Sequence, residues 1–362
     1  MKDYEELTIA FLRASITKDQ TEILKMLPAS SELWNNVAML ALSHGVMAII
    51  YNEVTKLPSG LLPPKEELLR LFGYYNLQLK DYEKKKQIAI TFGDELQKRG
   101  ITIKILKGLS FSSYYEQPYF RGLGDCDCYL GEHFELGNQI ACKMGAQVDF
   151  GTYKHSHIKF DGLLIENHHY LTDFKGTKKG IKNEKLLEAI IEEPGEIHID
   201  NTSLACPNTM FNSLFLVRHA LGNFLLGGFS LRMIYDWAML LSKQQDNLDI
   251  KRMNSLMEEC RIKRFEEVLT SLCVGYLGLR LTNPDLRVNL EQGFLHKYML
   301  ESIRLKDSIS SSETLIQKSF RILRRIRRMW RYRNIAIESF PMMIWNSFAF
   351  SSYLDRNIEI SD

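Results

Sequence analysis

The feature that most constrains this 362-residue chain is a change of hydrophobic period at Gly100. Before it, Leu68, Phe72, Tyr75, Leu79 and Tyr82, then Ala89, Phe92 and Leu96, recur at helical spacings. Pro63-Pro64 precedes this run and Gly100 follows it, the usual start and stop chemistry of a helix. After it, Ile101, Ile103 and Ile105 alternate as in a strand. A chain that switches period this sharply ends a helical region and begins a sheet, so residues 1–100 read as an N-terminal helical region.

The alternating run leads into Lys107-Gly108-Leu109-Ser110, and then comes Arg121-Gly-Leu-Gly124-Asp125-Cys-Asp127-Cys-Tyr-Leu130. Aspartates at i and i+2 of a strand share a face, which sends the interleaved Cys126 and Cys128 to the other. Paired carboxylates suit Mg²⁺ or Mn²⁺, hard ions that take oxygen ligands and share substrate phosphates. The Lys-Gly turn, opening a short helix over 108–116, offers N–H groups and a positive end to those phosphates. An Asp-x-Asp pair arises about once by chance in a chain this long, so context decides. Downstream, 148–150 and 156–160 read as strands, and Asp161-Gly162 is a hairpin turn. Leu163-Leu-Ile-Glu166-Asn-His168 returns as an apolar strand carrying one acid. A lone acid on such a strand needs a partner or a metal, so Glu166 is the third carboxylate, with Asp149 its rival. Lys107 either neutralises a phosphate or is solvated. Arg121 either clamps a triphosphate or braces the loop.

In this order the motifs resemble those of the bacterial "nucleotidyltransferase family protein" group, within the DNA-polymerase-β-like nucleotidyltransferase superfamily. The likeness covers roughly 35–245, including Ser43-His44-Gly45 through Tyr51 and Leu231-Arg232 through Asp236 to Leu241. It implies an NTP substrate, a Mg²⁺ (or Mn²⁺) site at Asp125, Asp127 and Glu166, and a phosphate-binding turn at Lys107, Gly108 and Ser110, with Arg121 beside it. Two departures are visible. The turn reads Gly-Leu-Ser where superfamily members often have adjacent Gly-Ser, and Asn167 follows the acid where the group has an apolar residue.

The fold class expected is α+β: a small mixed β-sheet nucleotidyltransferase core over 101–205, flanked by helical regions at 1–100 and 206–362. Lys178 to Glu192 reads as a helix, 196–205 as a short strand pair, and 305–315 as a polar linker. A hydrophobic fraction of 45% and a net charge of +2 describe an ordinary soluble protein and predict no polyanionic partner for the whole chain. Six cysteines without a Cys-x-x-Cys pair, an acidic start and the lack of a long apolar run point to a cytoplasmic protein without a membrane span.

The expected reaction is transfer of an NMP from an NTP to an acceptor hydroxyl, with pyrophosphate released. Sugar, antibiotic, protein and RNA-end hydroxyls all fit as acceptor. A non-catalytic nucleotide-binding protein on the same scaffold is the first alternative. A glycosyltransferase using the Asp-x-Asp pair is the second, opposed by the helical first 100 residues. His155, His157, His168 and His169 invite zinc, but the aspartates favour a harder ion, which leaves His168 a positioning role or a polar structural one. The cluster at 318–333, rich in arginine around Phe320, Leu323, Ile326 and Trp330, reads as a basic amphipathic helix. It is expected to dock by that apolar stripe rather than grip nucleic acid.

Overall fold

A computed structural model describes residues 1–150, 153–172, 178–195, 197–304, 314–335, 341 and 344. The chain starts with helices α1 (Asp3–Thr17), α2 (Thr21–Met26), α3 (Ser31–His44), α4 (Met47–Val54) and α5 (Lys65–Gln97). Strand β1 (Ile103–Ile105), helix α6 (Leu109–Ser112) and strand β2 (Cys126–Tyr129) follow. Next come α7 (Phe134–Lys143), β3 (Gln147–Asp149), β4 (His155–Phe160), β5 (Leu163–His168), α8 (Lys178–Ile191), β6 (Ile197–His198) and β7 (Leu204–Cys206). The remainder is helical: α9 (Thr209–Leu226), α10 (Leu231–Gln244), α11 (Ile250–Glu259), α12 (Lys263–Gly275), α13 (Gln292–Arg304) and α14 (Leu315–Arg331). The architecture is α+β, as the change of period implied. Most of the expected linker, 305–313, lies outside the described residues.

The sheet runs β3-β4-β5-β2-β1-β7-β6. It is mixed: β2–β5 and β1–β7 pair parallel and the other neighbours antiparallel. One core lies against the sheet, where Cys126, Cys128, Ile158 and Ile165 meet Tyr82, Phe92 and Leu96 of α5. Gly93 permits this approach, because a Cβ there would lie 2.6 Å from Ser203 Oγ and 2.9 Å from Leu204 Cδ2. A second core joins N-terminal and C-terminal helices, with Phe11 and Trp34 in the same cluster as Trp237 and Phe265. Arg13 seals that junction, its Nε and Nη2 donating to the Tyr276 and Gly275 carbonyls at 2.9 and 2.7 Å.

Helix α5 therefore serves two cores, and its stripe is not uniformly buried. Leu71 belongs to the helical core and Tyr82 onward to the sheet core, while Phe72 is exposed. Among the described residues, no helix is long and apolar enough to cross a membrane.

Helix α14 departs from its expected mode of docking. Phe320, Leu323 and Trp330 are exposed, Trp330 by 53%, with the Arg333 guanidinium 4.2 Å from its ring centre. Among the described residues, Met329 and, just past the helix, Tyr332 and Ile335 are buried, and the Tyr332 ring lies 4.8 Å from that of Phe224 on α9. The arginine-rich helix is held at its C-terminal end, and its apolar stripe faces outward.

Candidate functional site

The register of the sheet assembles the site. Asp127 on β2 is level with Glu166 on β5, Glu166 with His157 on β4, and His157 with Asp149 on β3. Residues level across a pleated sheet share a face, so all four stand in one row. One step along, Tyr129, His168 and His155 form a second row on the same face. Cys126 and Cys128 point into the core behind it, as their alternation with the aspartates requires.

Strand spacing then sorts the acids. Glu166 is on the strand next to Asp127, whereas Asp149 is three strands away, roughly 14 Å at the usual spacing. Asn167, the unusual neighbour of Glu166, turns to the opposite face. Its Nδ2 donates to Phe134 O at 3.0 Å and to Asn138 Oδ1 at 2.9 Å, and Ser156 Oγ donates to the same Asn138 oxygen at 2.6 Å. The departure from an apolar residue is thus a buried polar anchor for α7, independent of Glu166.

Asp127 is 1% exposed, and two partners converge on its Oδ1. The Leu106 N–H donates to its carbonyl at 2.9 Å, which brings the next residue, Lys107, alongside. Lys107 Nζ is 2.6 Å from Asp127 Oδ1, and His168 Nε2 is 3.1 Å from the same oxygen. Against the cost of burial, the Lys107 charge and the His168 hydrogen bond hold the Asp127 carboxyl well below the usual range. Asp125 differs. It sits at the cavity mouth, open to solvent on one side. The protein around it removes enough water, and Asp127 adds enough repulsion, to push its carboxyl up despite Lys107.

Gly108 makes the turn possible. Its φ of 56° and ψ of −107° lie where side-chain-bearing residues are strained. The helix it opens has only four residues, so it lacks the aligned peptides that would give its N-terminus a useful dipole. Ser110 is fully buried. Its N–H donates to Lys107 O at 3.0 Å and its Oγ lies 2.7 Å from Cys206 Sγ on β7. It is not among the residues lining the cavity, so the part of the turn facing that space is Lys107-Gly108.

A cavity of about 400 Å³ opens beside Asp125 and Asp127. Its walls include Lys107, Arg121, His44, His219, Asn223, Arg232 and Asp236. Arg121 is committed to bracing: Nε and Nη2 donate to the two Asp236 oxygens at 2.8 and 3.0 Å, and Nη1 to Gly108 O at 3.3 Å. Tyr115 OH also donates to Asp236, at 2.7 Å. Arg232, on the same helix, donates to Gly122 O at 3.3 Å, and burial with the Arg121 charge pulls its pKa down. His44 accepts the Leu231 N–H at Nδ1, 3.1 Å away, and its Nε2 is 3.1 Å from Ile303 O, tying α3 to the start of α10. Burial and Lys107 keep His219 well below its ordinary pKa and therefore neutral.

His44, His219, Asn223, Arg232 and Asp236 were not singled out as site residues from sequence. A signal existed for two of them: Arg232 and Asp236 are charges four apart in an otherwise apolar helical stretch. The histidine side of Glu166 is equally crowded. His155 Nδ1 and His168 Nε2 are each 3.7 Å from Glu166 Oε2, and His157 Nε2 is 3.7 Å from Oε1. Against burial, the nearby His168 and His155 imidazoles keep the Glu166 carboxyl below its usual pKa, and, again against burial, Asp127 and Glu166 raise that of His168.

A family model described as an uncharacterised nucleotidyltransferase matches residues 30–278, which is more than half of the chain. That span runs from α3 through α12 and includes every cavity and histidine residue named above, but not α14. No curated protein and no solved structure matches the chain.

Proposed function

The chain belongs to this uncharacterised nucleotidyltransferase family, and on that premise we propose that it moves a nucleoside monophosphate from an NTP to an acceptor hydroxyl, releasing pyrophosphate. The observation that carries the reading is the register of Asp127 with Glu166 on adjacent parallel strands, with Asp127 on the wall of a cavity that Lys107, Asp125 and Arg232 also line. Asp125, Asp127 and Glu166 would offer a hard divalent ion such as Mg²⁺ or Mn²⁺ the oxygen ligands it takes, with Asp127 and Glu166 level on adjacent strands and Asp125 two residues before Asp127. Bound there, such an ion would withdraw charge from the α-phosphate and favour departure of pyrophosphate.

The protein's own groups supply the rest. Lys107 and Arg232 place positive charge on the cavity wall for the β- and γ-phosphates. The Arg121–Asp236 pair fixes the Lys107-Gly108 turn through the Gly108 carbonyl. Glu166, held ionised at neutral pH, accepts the proton of the acceptor hydroxyl. The acceptor oxygen bonds to the α-phosphorus, and the bond from that phosphorus to the bridging oxygen breaks.

Thermal melting with each NTP, with and without Mg²⁺, tests the reading. At about a hundredfold saturation, binding stabilises by about 2.7 kcal/mol, or roughly 5–10 °C at about 2–4 °C per kcal/mol. The shift should need the metal and be lost in Asp125→Asn, whose side chain stands at the mouth rather than in the core. An equal shift in EDTA would favour the non-catalytic binder, and a response to UDP-sugars alone would favour a glycosyltransferase.

A further inference from the structure

We infer that His155, Glu166 and His168 form a second cation site, nitrogen-bearing and selective for a transition-metal ion of the Zn²⁺ or Co²⁺ class, adjoining the all-oxygen site at Asp125 and Asp127. These three residues offer one ligand atom each, all within 4.8 Å of one another. Both near nitrogens, His155 Nδ1 and His168 Nε2, are 3.7 Å from the same oxygen, Glu166 Oε2. Ligands about 2.05 Å from a tetrahedral zinc lie roughly 3.4 Å apart, so each nitrogen needs to close on Glu166 Oε2 by a few tenths of an ångström, and the two nitrogens, within 4.8 Å of each other, by up to about 1.4 Å.

The far nitrogens are what separate this group from a chance cluster. His168 Nδ1 lies 3.1 Å from the Tyr170 carbonyl, which can only accept, so that nitrogen carries a hydrogen. Nε2 donates to Asp127 Oδ1 at 3.1 Å in the metal-free protein, and its proton is the one an ion at Glu166 would displace. His155 Nε2 lies 3.1 Å from His157 Nε2, which leaves Nδ1 as the atom facing Glu166. Metal-bound histidines characteristically have the second nitrogen held in this way, by a carbonyl or another polar group, which fixes the tautomer and the ring orientation. The frame is rigid as well. His155 and His168 are directly cross-strand on the β4–β5 hairpin, and Ser156 and Asn167 are locked to Asn138 on the opposite face.

Donor chemistry sets the class of ion. Imidazole suits zinc, cobalt and iron, whereas Mg²⁺ prefers oxygen throughout and keeps several waters. The consequence is two neighbouring positions of different hardness, with Glu166 between them. The inference shares Glu166 with the proposed transferase reaction, but metal binding at the histidines does not depend on that reaction.

The test uses the untagged, full-length protein, stripped with EDTA, without nucleotide. Co²⁺ is titrated in the presence of millimolar Mg²⁺, and its visible d–d absorption is followed. One equivalent should bind with the intense spectrum of a four- or five-coordinate, nitrogen-bearing site. His155→Gln and His168→Gln should each weaken binding about a hundredfold, and His157→Gln about tenfold, as for loss of an outer-shell partner. His168 is buried and its variant can fail to fold, so the partly exposed His155 carries the decision, with circular dichroism as the check on folding. Displacement of Co²⁺ by millimolar Mg²⁺, or an unchanged spectrum and affinity in His155→Gln, overturns the inference. Asp125→Asn should keep the Co²⁺ spectrum. Co²⁺ binding without any metal-dependent NTP response would sink the transferase reading alone. An NTP response in Mg²⁺ without Co²⁺ binding would sink this one alone.

Discussion

The two flanks of strand β2 are built from different chemistry. On the β1 side, Asp127 meets a lysine on a glycine turn, and the turn is braced by Arg121, which is itself held by Asp236 of a distant helix. On the β5 side, the same carboxylate meets His168, then Glu166 ringed by three imidazoles. Permanent cations with permanent partners make the first flank a fixed electrostatic wall, suited to an anion. Imidazoles, which exchange a proton for a metal, make the second flank adjustable. Asp127 is the hinge of the comparison, because both sides neutralise it.

The largest effect is expected from the fixed flank. Arg121→Met leaves Asp236 charged and buried with Tyr115 as its remaining partner, and breaking a buried pair in this way costs about 3–5 kcal/mol. Urea unfolding checks it, and a loss under about 1 kcal/mol would show that the wall is not held by this pair.

Asp127→Asn comes next. Two carboxylates at i and i+2 of a strand repel, so neutralising one would by itself leave the fold intact or stabilise it. The structure reverses this, since Lys107 and His168 both lose a charged partner in a buried place. A loss of about 1–3 kcal/mol is expected together with loss of NTP transfer, while Asp125→Asn keeps its stability. Equal melting of the two variants would mean that the flanks do not meet at Asp127.

The adjustable flank should be visible in pH. In metal-free protein the His168 pKa is raised above its ordinary 6.5, so its contribution is full below that value and is lost as pH rises through the folded pKa. The Asp127 pKa is depressed, so its contribution is present above 3.8 and lost only as pH falls through the folded value. Urea midpoints of wild type and His168→Gln should therefore converge as pH rises into the alkaline range; a constant difference would remove His168 from the electrostatics of the site.

The smallest effect is expected far from both flanks. Trp330→Ala on α14 would cost roughly 3–5 kcal/mol if the ring were buried. With the ring exposed, the change should stay within about half a kcal/mol, and a larger loss in thermal melting would mean the stripe is covered in solution.

The sequence by itself determined what depends on local pattern. The helix over 65–97, the strands beginning at Ile103, the Asp161-Gly162 hairpin and the shared face of Glu166 and His168 all follow from periods of 3.6 and 2 and from turn chemistry. The Asp-x-Asp pair and its likeness to the nucleotidyltransferases were legible for the same reason: their spacing is short and read along one chain. Tertiary structure alone decided what depends on strand order. Glu166 is beside Asp127, and Asp149 is at the edge, because β5 pairs with β2 in parallel, and no local pattern encodes which strands become neighbours. Ser110 turns to Cys206, Arg121 closes on Asp236 more than a hundred residues away, and Trp330 faces outward because such side chains answer to partners distant in sequence. Chemistry at i and i+2 can be read from the chain, whereas chemistry between residues 127, 166 and 236 exists only once the backbone has brought them together.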